Sequence, residues 1–138
     1  MAGNPKAALR AELLARRRAL PPDQAARLGA RIRDRLRALP AWAQAREVLL
    51  YAPVRGEVDV MPLLDELWER KARALLPRCR PGAPGELDLA CCTCLADLDP
   101  GAYGIPEPSP AACPALQDFA PDLVLVPAVG LDRSGVRL

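Results

Sequence analysis

The 138-residue chain contains no histidine. That absence excludes every nucleophile–base pair that uses imidazole and every zinc site that needs an imidazole ligand. Aromatics are nearly as scarce, limited to Trp42, Tyr51, Trp68, Tyr103 and Phe119. A run of about 18 apolar residues is also missing, which excludes a membrane-spanning helix. The opening Met-Ala-Gly-Asn-Pro-Lys lacks the apolar centre of a secretion signal. The cytoplasm, or another reducing compartment, is therefore the expected location. Five cysteines agree with it, because an odd count suits a disulfide framework poorly. Chemistry must rest on carboxylates, Lys/Arg, thiols, backbone amides or the substrate itself.

What remains is ample for a core. Apolar residues make up 51% of the chain, mostly Leu, Ala and Val, and the length suits one ordinary domain. Sixteen prolines imply many loops. Charge is uneven: residues 1–40 hold ten Lys/Arg against three Asp/Glu, a net of +7, and the rest hold nine against fourteen, a net of −5. A basic first third suggests an anionic partner for it, or an arm packed on the acidic remainder.

Periodicity predicts a helix over Lys6–Leu20, with Leu9, Leu13 and Leu20 on or near one face, ended by Pro21-Pro22. Pro22 opens a second helix with Leu28, Ile32, Leu36 and Leu39 as its apolar stripe. Together they form a helical hairpin over 1–40 ahead of an α/β part over 41–138, the two making one domain. Strands are predicted at Val48–Tyr51, at Ala74–Leu76 (stopped by Pro77) and, more weakly, within Glu86–Leu95. Asp59 is placed to cap a helix reaching about Lys71. Gly101–Pro110 reads as loop and Ala112–Phe119 as a short helix. The unbroken run Leu123–Val126 reads as a strand buried on both faces. This alternation predicts an α/β fold: a mostly parallel sheet flanked by helices, three-layered and Rossmann-like. Ligands of such sheets bind beyond the carboxyl ends of the strands, so the segment from Pro127 onward is expected to be site loop.

Taken singly the chemical motifs are modest. Lys6-x-x-x-Arg10 puts two cations on one helix face, able to grip a polyphosphate or simply to form a solvated basic face. Glu57, in Gly56-Glu57-Val58-Asp59, can accept from an N–H-rich heterocycle or be a surface carboxylate beside a cap. Arg78, closing the second strand, either meets an anion or is exposed. Tyr103 is a stacking platform or a loop-packing residue. Cys91-Cys92-x-Cys94, with Cys79 and Cys113, lacks paired Cys-x₂-Cys spacing, and neighbouring strand residues point to opposite faces, so idle thiols are expected rather than a metal site.

The ordered set is more specific than its members. Lys6-x-x-x-Arg10, Tyr51-x-x-x-x-x-Glu57-Val-Asp, Leu76-Pro-Arg78, Gly101-x-Tyr-Gly-Ile-Pro-Glu-Pro108, Asp122-Leu-Val-Leu-Val-Pro127 and Asp132-x-x-Gly-x-Arg-Leu138 together resemble the 5-formyltetrahydrofolate cyclo-ligase (5,10-methenyltetrahydrofolate synthetase) family. The resemblance implies ATP-dependent, Mg²⁺-assisted closure of 5-formyltetrahydrofolate to 5,10-methenyltetrahydrofolate. The γ-phosphate of ATP would activate the formyl oxygen, N10 would attack the formyl carbon, and phosphate would leave. The substrate then supplies both nucleophiles, which explains why histidine is dispensable. By the same resemblance, Lys6, Ala7, Ala8, Leu9 and Arg10, with Arg137 and Leu138, would contact ATP. Ala52, Glu57 and Tyr103 would contact the folate, Glu57 at the pterin; no protein side chain here is assigned as a catalytic acid or base or as a metal ligand.

Three departures from the family pattern stand out. Ala128 replaces a glycine and would crowd the loop if the backbone needs positive φ. Leu131 replaces a phenylalanine. The family's glycine-rich run ending in Tyr-Tyr-Asp does not follow Arg137-Leu138, so negligible turnover is expected of residues 1–138 by themselves. A monomer is expected, acting on a folate that can carry a polyglutamate tail, with no membrane partner and no role for nucleic acid. The competing reading is a non-catalytic fragment that binds folate, nucleotide or, through its basic hairpin, nucleic acid.

Overall fold

The computed structural model describes residues 4–138. Helix α1 spans Pro5–Ala19 and α2 spans Pro22–Arg37. Both start on a proline, whose missing N–H costs nothing in a first helical turn. The Asn4 side chain accepts from the Lys6 N–H at 3.1 Å and so caps α1. A short α3, Pro40–Gln44, was not foreseen; it buries Trp42. Strand β1 (Glu47–Leu49), α4 (Leu63–Glu69), β2 (Arg73–Cys79) and β3 (Leu87–Cys92) follow, then β4 (Leu98–Pro100), β5 (Pro106–Pro108) and β6 (Leu123–Val124).

The main sheet has the order β3-β2-β1-β6. β1 runs parallel to both β2 and β6, while β3 lies antiparallel on the outer side of β2. β4 and β5 form a separate antiparallel pair. This is the expected α/β fold with a mostly parallel sheet flanked by helices, β3 being its antiparallel strand. One sheet face carries Val48, Leu50, Ala74, Leu76, Ala90 and Cys92, all buried with Leu63, Leu64 and Leu67 of α4. The Trp68 indole N–H donates to the Cys92 carbonyl at 2.8 Å, joining α4 to β3.

Several local expectations are corrected. The 123–126 run is not buried on both faces: Leu123 and Leu125 pack on the core, whereas Val124 and Val126 are 45% and 53% exposed. β6 is the last strand of the described sheet, paired only with β1, so its apolar residues alternate between core and open side. β2 does not stop at Pro77. Leu75 faces β1, accepting from the Leu50 N–H at 2.9 Å, so Pro77, two residues on, turns its missing N–H to the same side. The β1–β2 register ends at Leu49↔Leu75, and no ladder bond is lost there.

The helix after β1 starts at Leu63, not beside Asp59. The Asp59 carboxylate instead accepts from Met61 N–H at 3.0 Å in a local turn. Residues 112–119 form no helix. Cys113 N–H reaches Ser109 O at 2.7 Å to close a single turn, then Pro114 intervenes and Leu116 N–H pairs with Leu89 O at 2.8 Å. The 101–110 loop contains β5 and a 3₁₀ turn, Ala102–Gly104.

Candidate functional site

The carboxyl ends of β1 and β6 open onto a cleft of about 860 Å³. α2 forms one wall with Leu28, Ile32 and Leu36; Tyr51 and Glu57 from the loop after β1 form another; Val126 and Ala128 from the segment after β6 close a third. The apolar stripe read along α2 thus lines a cleft more than it fills a core: Leu28 and Ile32 stay 38% and 48% exposed, while Leu36 packs on the core.

Glu57 sits at the end of a tight turn. Its N–H donates to Val54 O at 3.0 Å and its carboxylate accepts from Val54 N–H at 3.0 Å. The two central residues, Arg55 and Gly56, have φ of 51° and 77°, a left-handed pair that explains the glycine and puts strain on the arginine. Tyr51 donates its hydroxyl to Val58 O at 2.9 Å, and burial, followed by the nearby Glu57 charge, pushes the phenol above its ordinary range. Ala52, which follows Tyr51 in sequence, is half-buried and is not among the residues that line the cleft.

Arg17, on α1, had no role in the sequence reading. Its guanidinium donates to Ala128 O at 2.6 Å, and it lines the same cleft. One turn earlier, Leu13 packs so closely on Gly130 that a Cβ there would lie 2.6 Å from its Cδ1. The only hint in the sequence was that Leu13 and Arg17 share one helix face.

Lys6, Ala7, Ala8, Leu9 and Arg10 all lie exposed on the first half of α1, with Arg10 about one turn before Leu13. Arg137 bridges Leu131 in an antiparallel pair, and Leu138 N–H donates to Gly130 O at 3.0 Å. The residues for which the resemblance implies ATP contact are thus on two elements, α1 and the 128–138 segment, that touch at Leu13–Gly130 and Arg17–Ala128.

Tyr103 is 94% exposed, at φ 61°, and does not line the cleft that holds Glu57. It borders a neighbouring hollow of about 490 Å³, with Pro53, Val54 and Arg55 opposite. The 54–57 turn therefore separates the two hollows. Arg78 is not exposed: it is buried and donates to Pro108 O at 3.0 Å and Cys113 O at 2.7 Å. Ala128 is not among the residues with positive φ, so its methyl meets no backbone strain, contrary to the sequence-based concern. All five cysteines are free thiols; burial and Cys113 push Cys92 up to about 12.

Comparison with known proteins agrees with the ordered motifs. The sequence profile described as the 5-formyltetrahydrofolate cyclo-ligase family matches residues 2–138. The chain is 37% identical to the 5-formyltetrahydrofolate cyclo-ligase of Mycolicibacterium smegmatis, over all of this chain and 71% of that one. It is 30% identical to the Escherichia coli K12 protein of the same name, over 89% of this chain and 68% of that one. The solved structure of Aquifex aeolicus 5,10-methenyltetrahydrofolate synthetase superposes with a TM-score of 0.75 at 30% identity, covering 96% of this chain and 65% of that one. A Mycoplasma pneumoniae 5,10-methenyltetrahydrofolate synthetase shares the fold, with a TM-score of 0.66 at 23% identity over 98% of this chain and 71% of its own. The chain spans about two thirds of the length of these relatives, and the family and its relatives indicate 5-formyltetrahydrofolate cyclo-ligase (ligase) activity. The ordered motifs, the sheet with its cleft at the carboxyl ends, and these matches together make the chain a member of the 5-formyltetrahydrofolate cyclo-ligase family.

Proposed function

We propose that this chain provides the phosphate grip and the folate wall for ATP-dependent closure of 5-formyltetrahydrofolate to 5,10-methenyltetrahydrofolate. The observation that carries the reading is the meeting of α1 and the 128–138 segment beside the Glu57 turn, at the carboxyl edge of the sheet. Lys6 and Arg10 act on the phosphates, one as a point charge and the other as a planar fork, while Ala7, Ala8 and Leu9 form the helix surface between them. Arg137 and Leu138 approach the same nucleotide. Glu57 accepts from the pterin, Ala52 borders it, and Tyr103 covers the folate from the neighbouring hollow.

The reaction asks little acid–base work of the protein. The γ-phosphoryl passes to the formyl oxygen as ADP leaves. N10 then attacks the formyl carbon, the C–O bond breaks to release phosphate, and the departing phosphate carries off the N10 proton. Positioning and charge stabilisation are what the residues supply. Among the described residues no three potential ligands converge, so they do not fit a protein-held Mg²⁺ cage; the ion would enter with the ATP phosphates. No described helix is long and apolar enough to cross a membrane. We place the reaction in the cytoplasm, on a monomer in which 1–40 and 41–138 act as one domain; polyglutamylated folate is an admissible substrate.

Titration calorimetry with ATP and with 5-formyltetrahydrofolate tests the reading. Saturable binding of both, lost for ATP in Lys6→Ala/Arg10→Ala and for folate in Glu57→Ala, is the expected outcome. Binding of neither ligand overturns it. Absorbance of the methenyl product, with ATP and Mg²⁺ present, tests turnover by residues 1–138 directly.

A further inference from the structure

One side chain touches all three segments of the proposed site. Arg17 belongs to α1, the helix that carries Lys6 and Arg10. Its Nη2 donates to Ala128 O at 2.6 Å, across 111 positions of sequence, at the head of the segment that leads to Arg137 and Leu138. Its stem lies under the turn that presents Glu57: a Cβ added to Gly56 would sit 3.3 Å from Arg17 Cδ and 3.4 Å from Cγ. The side chain is half-buried and so has few alternative positions. Glu57 and Tyr51 share its cleft.

We propose that Arg17 is a positioning residue that fixes the spacing between the nucleotide side and the folate side of the site. The inference rests on the proposed function. Phosphoryl transfer between two separately bound substrates is steep in distance: a misplacement of about 1 Å costs on the order of a hundredfold in rate. The planar guanidinium suits this task because its charge-assisted bond to a carbonyl is directional. Lysine offers the charge without the fork, and methionine fills the space of the stem without either.

Two measurements on the whole chain test the clamp. The first is amide hydrogen exchange in wild type, Arg17→Met and Arg17→Lys. In Arg17→Met, exchange at the Asp132 amide (bonded to Val136 O) and the Glu57 amide (bonded to Val54 O) should rise about tenfold. The Leu50 amide, bonded to Leu75 O in the sheet, should not change, and Arg17→Lys should fall between. Unchanged protection at Asp132 or Glu57 overturns the clamp, as does equal loss at Leu50, which would mark general destabilisation.

The second is the mutual effect of ATP and 5-formyltetrahydrofolate on each other's affinity. A coupling of about fivefold or more in wild type should vanish in Arg17→Met while each ligand's separate Kd moves less than about threefold. Retained coupling overturns the proposal. If wild type binds neither ligand, the site assignment falls, and the exchange result alone decides whether Arg17 clamps the two loops.

Discussion

Glu57 and Arg17 line one cleft with opposite charges, yet each is held by backbone: Glu57 by Val54 N–H, Arg17 by Ala128 O. Val54 N–H uses only Oε2 of the Glu57 carboxylate, which leaves Oε1 for the folate contact proposed above. Glu57→Gln keeps an oxygen for Val54 N–H and removes only the charge. We expect folate affinity to fall about tenfold with the unfolding midpoint unchanged, because hydrogen bonds to charged groups outweigh neutral ones. Calorimetry and a thermal scan on the same sample check this. Asp122 is a carboxylate with a purely structural task. It accepts from Arg46 N–H at 2.7 Å and Glu47 N–H at 3.0 Å, and these bonds hold its pKa below the ordinary value. A lowered folded pKa means its contribution is present above the unfolded-state value and is lost as pH falls through the folded one. Denaturant titrations across the acid range should therefore show a shallower loss of stability for Asp122→Asn than for wild type. An identical acid limb would remove Asp122 from the account.

At the scale of elements, α4 and α1 attach to the sheet very differently. α4 puts Leu63, Leu64 and Leu67 fully into the core. Leu67→Ala should cost about 2–5 kcal/mol, read from the shift in urea midpoint, since the packed sheet face cannot collapse into the void. α1 contains no buried residue and is held through Leu13 and Arg17 at the loop that follows β6. It is thus the element whose seating a ligand bridging both sides would strengthen most. The sequence disclosed both helices through their leucine spacing and proline starts. It did not disclose that the α2 stripe would border a cleft, because periodicity records that a face is apolar and not what lies opposite it. The predicted helix over 112–119 failed for a local reason, Pro114 and the pairing of Leu116 with β3.

Over the whole molecule, thiol chemistry reports the packing. Cys79 and Cys94 are exposed, Cys92 and Cys113 are buried, and Cys92 is pushed up to about 12 by burial and its neighbour Cys113. Thiolates, not thiols, alkylate. Cys79 is itself raised by donating to Glu107, so native alkylation should mark Cys94 first, Cys79 more slowly, and Cys92 and Cys113 only after unfolding. Peptide mass spectrometry follows the order; native labelling of Cys92 at the rate of Cys94 would contradict the described core.

The sequence alone determined the class of fold and the family. Strands rich in Val and Leu alternate with amphipathic helices, and the ordered motifs from Lys6 to Leu138 resemble one family, whose reaction is compatible with the absence of histidine because its substrate carries its own nucleophiles. These are local properties of residue type and spacing, and they survive without coordinates. The tertiary structure decided what touches what. Arg78 left the surface to hold two carbonyls, Tyr103 and Glu57 fell on opposite sides of one turn, and Arg17 reached Ala128. Such contacts join residues tens of positions apart, and a side chain's partner there depends on how the intervening strands register and pack, which spacing along the chain does not encode.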